Sequence, residues 1–209
     1  MFGADNFTTV SGVTLMRDIS GERNLRVILF LKDIGVISLS SKNFGGDSEP
    51  FLWAKYWLRK NRLARTYFVY DIEVVDTMIK IRQKKERMIM LLHWARSILK
   101  YLPYGHPDND LLANFYWNMK LLCAPGVPCD AADWRFIWKW LENWGLAPDV
   151  VNLYANKNFN KDELSLLVQI LLLNTKRVAE LFTKPLSGNI RENVFKVAAK
   201  IALTFLNEK

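Results

Sequence analysis

The sequence predicts an α+β fold, with a small all-β domain over residues 1–76 and an all-helical domain over residues 77–209. Three observations carry this. Apolar residues fall in short runs separated by turn residues as far as Asp76. Beyond Asp76 their period changes from two toward 3.6. No Pro/Gly/Ser-rich linker, internal repeat or low-complexity segment interrupts the chain at that change. The chain has 209 residues, half of them apolar and 24% charged, enough to bury a core without disulfide staples.

The strands come first. Val10–Arg17 and Leu25–Leu31 flank Ser20-Gly21-Glu22-Arg23-Asn24, a turn-like cluster. Lys32-Asp33-Ile34-Gly35 then predicts a hairpin into Val36–Ser41, with Gly35 supplying a positive φ. Asn43–Pro50 is a loop with two adjacent glycines. Phe51–Lys60 and Thr66–Asp76 are two longer strands joined through Asn61–Arg65. Five strands with short connections predict a barrel or sandwich.

The helices follow. Met88, Leu91, Leu92, Ala95, Leu99 and Leu102 share one helical face, and Pro103 and Gly105 end that helix. Asp108 caps the next, which runs to about Cys123 before Ala124-Pro125-Gly126-Val127-Pro128 breaks it. Asp130 is the expected cap of a third helix, with Trp134, Ile137, Trp138 and Leu141 as its apolar stripe and an end near Gly145 and Pro148. Further helices are expected from Asn160 to about Leu173, over about Thr175–Phe182, and from Asn189 to about Asn207.

The charge is local. Residues 55–100 hold twelve basic and four acidic side chains, and so the whole of the net +8. A concentrated basic segment points to an anionic partner more firmly than a high isoelectric point does. Lys80–Arg87 alone reads as a solvated helix face. The segment as a whole reads as a polyanion site, with Lys80, Lys84, Lys85 and Arg87 extending it.

Phe51–Lys60 carries the chemistry. Side chains alternate across a strand. Leu52, Ala54, Tyr56, Leu58 and Lys60 therefore share one face, largely apolar and turned to the core. Phe51, Trp53, Lys55, Trp57 and Arg59 share the other, where aromatics interleave with cations. Such a face suits single-stranded nucleic acid: bases stack on indoles while cations meet the phosphates. Lys60, at the strand end, is a further candidate for phosphate contact, Arg62 and Arg65 lengthen the stripe, and Lys42 adds a cation in the glycine-rich loop. Burial beneath the helical half is the competing reading, favoured for Trp53 and Trp57 but not for Lys55, Arg59, Arg62 and Arg65. Arg17, Arg23 and Arg26 are weaker candidates, because isolated arginines at strand ends are usually solvated.

Catalytic signatures are missing. His93 reads as a packing residue and His106 as a solvated loop residue. Cys123 and Cys129, with five residues between them including two prolines, lack the usual zinc spacing. No nucleotide-binding glycine motif, nucleophile elbow or His-Glu-x-x-His occurs. The expectation is a protein that is not an enzyme and holds no cofactor or metal. Two cysteines, no signal-peptide pattern and no apolar run of about 20 residues predict a soluble cytoplasmic protein without a membrane partner.

Three stretches resemble the bacterial recombination mediator family RecO. Gly12-Val13-Thr14-Leu15-Met16-Arg17 with Gly21-Glu22-Arg23-Asn24-Leu25 is similar to that family's opening strand and Gly-Glu-x-Asp turn, with Asn24 in the Asp position. Gly35-Val36-Ile37-Ser38, Lys42 before Gly45, and Pro50-Phe51 resemble its third strand, Lys-Gly-rich loop and entry to strand four. Trp144-Gly145-Leu146-Ala147-Pro148-Asp149 resembles its Leu-Gly-Tyr-x-Pro-x-Leu segment. The resemblance implies an N-terminal OB-fold barrel and a helical domain. It implies binding of single- and double-stranded DNA and annealing of complementary strands. It also implies help for RecA in displacing single-strand-binding protein, with RecR as partner, and a nucleoid-associated location. Two departures stand out. Val150–Phe159 has no cysteine where many members carry a four-Cys zinc module, and only Lys42 remains of the arginine-rich loop.

The tail of single-strand-binding protein, acidic and ending in Phe, is a further partner the resemblance implies. Arg135, Phe136, Lys139 and Trp140 lie around the third helix from its core stripe. An aromatic pocket rimmed by cations there would suit an acidic peptide. A protein-binding adaptor with little DNA affinity is therefore the alternative reading.

Overall fold

The computed structural model describes residues 7–20, 24–41, 49–60, 67–149 and 158–207. The fold is α+β, a five-stranded antiparallel sheet followed by seven helices among the described residues. The strands are β1 (Phe7–Ser20), β2 (Asn24–Leu31), β3 (Gly35–Ser41), β4 (Trp53–Lys60) and β5 (Tyr67–Asp76). The helices are α1 (Ile79–Arg82), α2 (Lys85–Tyr101), α3 (Asn109–Cys123), α4 (Cys129–Asn143), α5 (Lys161–Leu172), α6 (Thr175–Leu181) and α7 (Val194–Asn207). The chain forms two compact units, residues 1–79 with 91–112 and residues 80–90 with 113–209.

In the first unit the strand order is β3-β2-β1-β4-β5. The long β1 is the hinge of this order: its first half pairs with β4 and its second with β2. Gly12 lies where the two halves meet, and a Cβ there would stand 2.3 Å from the Phe30 carbonyl oxygen. A bulge between Thr14 and Met16 follows, bending the strand. One face buries Val27, Leu29, Leu31, Leu39, Ala54, Tyr56 and Leu58, with Val69 and Ile72 packed against them. Tyr56 is buried without being orphaned, because its hydroxyl lies 3.1 Å from that of Thr14.

Closing this order into a barrel requires a ladder between the edge strands β3 and β5, and the described residues contain none. The edge of β3 is met instead at Val36, which forms a parallel bridge with Tyr104 and accepts a 2.8 Å hydrogen bond from Gly105 N. Gly35 adopts the expected positive φ, 84°, and a Cβ there would overlap the His106 carbonyl. Asn109 bonds both the backbone N–H and the carboxylate of Asp33 in the β2–β3 turn.

Phe51 departs from the expected alternation. It precedes β4 with φ 63° and is buried, so it belongs to a turn and not to the outward face. The buried stripe of α2 is Leu91, Trp94, Ala95 and Ile98, with Leu102 buried just after its end. Leu92 is exposed and Leu99 half-buried, so the stripe is rotated from the expected one, and His93 is exposed, not packed. The short α1 was not expected. It follows a turn in which Asp76 accepts a hydrogen bond from Met78 N.

In the second unit α4 is central and packs chiefly against α7. It begins after Pro128 with no side-chain cap. Asp130 therefore stands inside the first turn, where its carboxylate favours the positive helix end, and is not the cap. The cap expected of Asp108 is present, its Oδ1 accepting from Leu111 N at 2.8 Å, and Asn160, where a helix was expected to begin, forms a capping box with Glu163. Among the described residues no helix is long and apolar enough to cross a membrane.

Candidate nucleic-acid interface

The candidate surface is the outward face of β4. Ala54, Tyr56 and Leu58 point into the core, which turns Trp53, Lys55, Trp57 and Arg59 the other way. Lys55 and Arg59 are exposed, and Trp53 and Trp57 are half-buried. Lys60, at the strand end, is exposed although its parity assigns it to the inner face.

Residues opposite each other in antiparallel strands share a face. The register therefore builds four rows across β1, β4 and β5. They are Phe7–Arg59–Phe68, Thr9–Trp57–Asp71, Ser11–Lys55–Glu73 and Val13–Trp53–Asp76. Charge differs from row to row. Lys55 lies 3.5 Å from Glu73, an exposed ion pair that offsets its charge. Asp71 and Asp76 place acid beside the two tryptophans. Arg59 stands in register with Phe7 and Phe68, and Lys60 adjoins it. Both cations are exposed at that end of the strand.

That end also holds aromatics that strand-four reasoning missed. Phe7 is 40% exposed, Phe68 56% and Tyr70 76%. The Phe7 and Tyr70 rings lie 4.9 Å apart, tilted by 53°. A bulge between Trp57 and Leu58 on β4 inserts Tyr70 as the unpaired residue of β5, and both Tyr70 and Asp71 face solvent. The alternation of Tyr67 and Val69 with Phe68 and Tyr70 was the signal available in the sequence.

Other candidates lie elsewhere. Arg17 pairs with Val27 on β2, ten residues along β1 from Phe7, or about 30 Å at roughly 3.3 Å per residue. Arg26 stands opposite Asp18 and donates from Nε to Ser38 Oγ at 2.9 Å. Neither joins the Arg59 row. Arg23, Lys42, Arg62 and Arg65 lie outside the described residues. Lys80, Lys84 and Lys85 are exposed, but Arg87 is buried and donates to the Ala124 carbonyl, which removes it from the proposed track.

The peptide pocket expected on α4 is not open. Phe136 and Trp140 are fully buried, 5.6 Å apart within a cluster that includes Phe115 and Trp144. Arg135 is buried as well, and its Nη1 donates to the Ile170 and Leu173 carbonyls at the end of α5. Only Lys139 of the four is partly exposed, paired with Glu142 one turn on. A helix buried at five successive residues, Trp134 to Trp138, is enclosed over that stretch and is not a pocket wall.

Cys123 and Cys129 are free and half-buried, and burial pushes the Cys129 thiol up from its ordinary value. No three His, Cys, Asp or Glu side chains are grouped to hold a metal among the described residues. No protein-family model and no curated protein matches this chain.

Proposed function

We propose that the protein is a non-catalytic DNA-binding recombination mediator. It binds and anneals single-stranded DNA and helps RecA onto strands coated by single-strand-binding protein, with RecR as partner. The observation that carries the reading is the outward face of β4. Tryptophans and cations alternate there, and exposed Arg59 and Lys60 adjoin the exposed aromatics Phe7 and Phe68 at one end. The resemblance to RecO over the opening strands supplies the biological setting. Phosphate capture by Lys and Arg makes affinity fall with salt, each phosphate contact on a single strand contributing about 0.7 to the log–log slope.

The test is anisotropy of a labelled single-stranded oligonucleotide titrated with protein at two salt concentrations, beside a strand-annealing assay. Salt-sensitive binding is expected, and Arg59→Glu with Lys60→Glu should weaken it and lower the slope by roughly 1.4, two contacts' worth. Binding indifferent to salt and to this double reversal would overturn the assignment to this face.

A further inference from the structure

We propose that Phe7, Phe68 and Tyr70 form a stacking platform for unpaired bases, and that this platform makes the protein prefer single strands to duplex. The proposal rests on the reading of the β4 face as a DNA surface and names the form of DNA that the face selects.

Three neighbouring aromatic side chains stand substantially in solvent at one end of the sheet. Isolated exposed apolar residues need no explanation, but a contiguous group marks a contact surface. The group is built and not incidental. Tyr70 shares the outward face with Phe68 by strand alternation, and the β4–β5 bulge, a feature that re-aims side chains near functional sites, leaves it without a partner on β4. Phe7 reaches it from β1 and braces the ring at 4.9 Å. Phe68 stands directly across from Arg59, so an aromatic face and a guanidinium share one row.

The chemistry of the rim selects the occupant. Arg59 and Lys60 supply positive charge on one side of the aromatic group, and Asp71, next to Tyr70, and Glu73 supply negative charge on the other. A polyanion is drawn to the aromatic end and repelled from the rest of β5. A nucleic acid offers both a phosphate for the cations and a flat ring for the aromatics. In a duplex the base faces are consumed by stacking on one another, so only the phosphates remain. Unpaired bases can use the rings, whatever their sequence.

The test uses the full chain with one oligonucleotide, single-stranded or annealed to its complement. The aromatic variant Phe68→Ala/Tyr70→Ala should lose single-strand affinity by on the order of 5- to 150-fold per stacked base, while duplex affinity and the salt slope stay put. Arg59→Glu/Lys60→Glu should weaken both forms. Tyr70→Phe keeps the ring and should keep the preference, and unchanged thermal melting shows that the variants fold. An aromatic variant that retains the wild-type ratio of single-strand to duplex affinity overturns the platform while leaving the DNA reading intact. A wild-type protein that binds neither form overturns both.

Discussion

Glu163 ties three pieces of the helical unit together, and acid should untie them. Its carboxylate accepts from Asn160 N at 3.0 Å, closing the cap of α5. It also accepts from Arg191 N at 3.1 Å and from Arg191 Nε and Nη2 at 2.6 Å each, fastening the segment before α7. The Arg191 guanidinium, chiefly, holds the carboxyl at about 2 against an ordinary 4.5. A folded-state value below the unfolded one stabilises above the unfolded value and is lost as pH falls through the folded one. The window here is therefore 4.5 down to about 2. The interval corresponds to roughly 3 kcal/mol, but the Arg191 side chain is 52% exposed and solvent screens the pair. About 1–2 kcal/mol is the expected contribution. Urea melts of the wild type and Glu163→Gln should differ by that amount at pH 7, with the gap narrowing between pH 4.5 and 2. A gap that persists undiminished at pH 2, or none at pH 7, would refute the ionic origin of the tie.

Two further outcomes are expected. Arg135→Met strands the Ile170 and Leu173 carbonyls at the end of α5, although it also removes a buried charge. A net loss of about 2–4 kcal/mol in chemical denaturation is expected, because an unpaired buried acceptor costs more than a missing contact. The Tyr56 phenol, pushed up to about 12 by burial, should remain neutral in an ultraviolet titration until the sheet unfolds. Its contribution is complete below the unfolded value near 10 and is lost as pH rises from there through 12.

The strands were legible because alternation in β4 is strict from Leu52 to Leu58, and that parity also placed Trp53, Lys55, Trp57 and Arg59 outward. Phe51 escaped the pattern because a positive φ and a turn put two buried residues in succession. The bulge at Tyr70 carries no sequence mark of its own, so parity along β5 could not be followed through it. In α2, Leu92 and Leu99 offered as good a stripe as Trp94 and Ile98, and only packing chose between them. In α4, burial runs unbroken from Trp134 to Trp138, so the apolar period does not separate an inner face from an outer one there. Glu163 and Arg191 meet across 28 residues, a distance over which local pattern is silent.

The two compact units are not consecutive along the chain, because residues 91–112 belong with the sheet and residues 80–90 with the helices. The polypeptide therefore crosses from one unit to the other three times. No single proteolytic cut releases either unit whole: cleavage after Asp76 would separate Val36 from Gly105, and Asp33 from Asn109. Biosynthesis meets the same constraint. A nascent sheet leaving the ribosome waits for about thirty more residues before its β3 edge is met, so maturation of the first unit overlaps in time with emergence of the second.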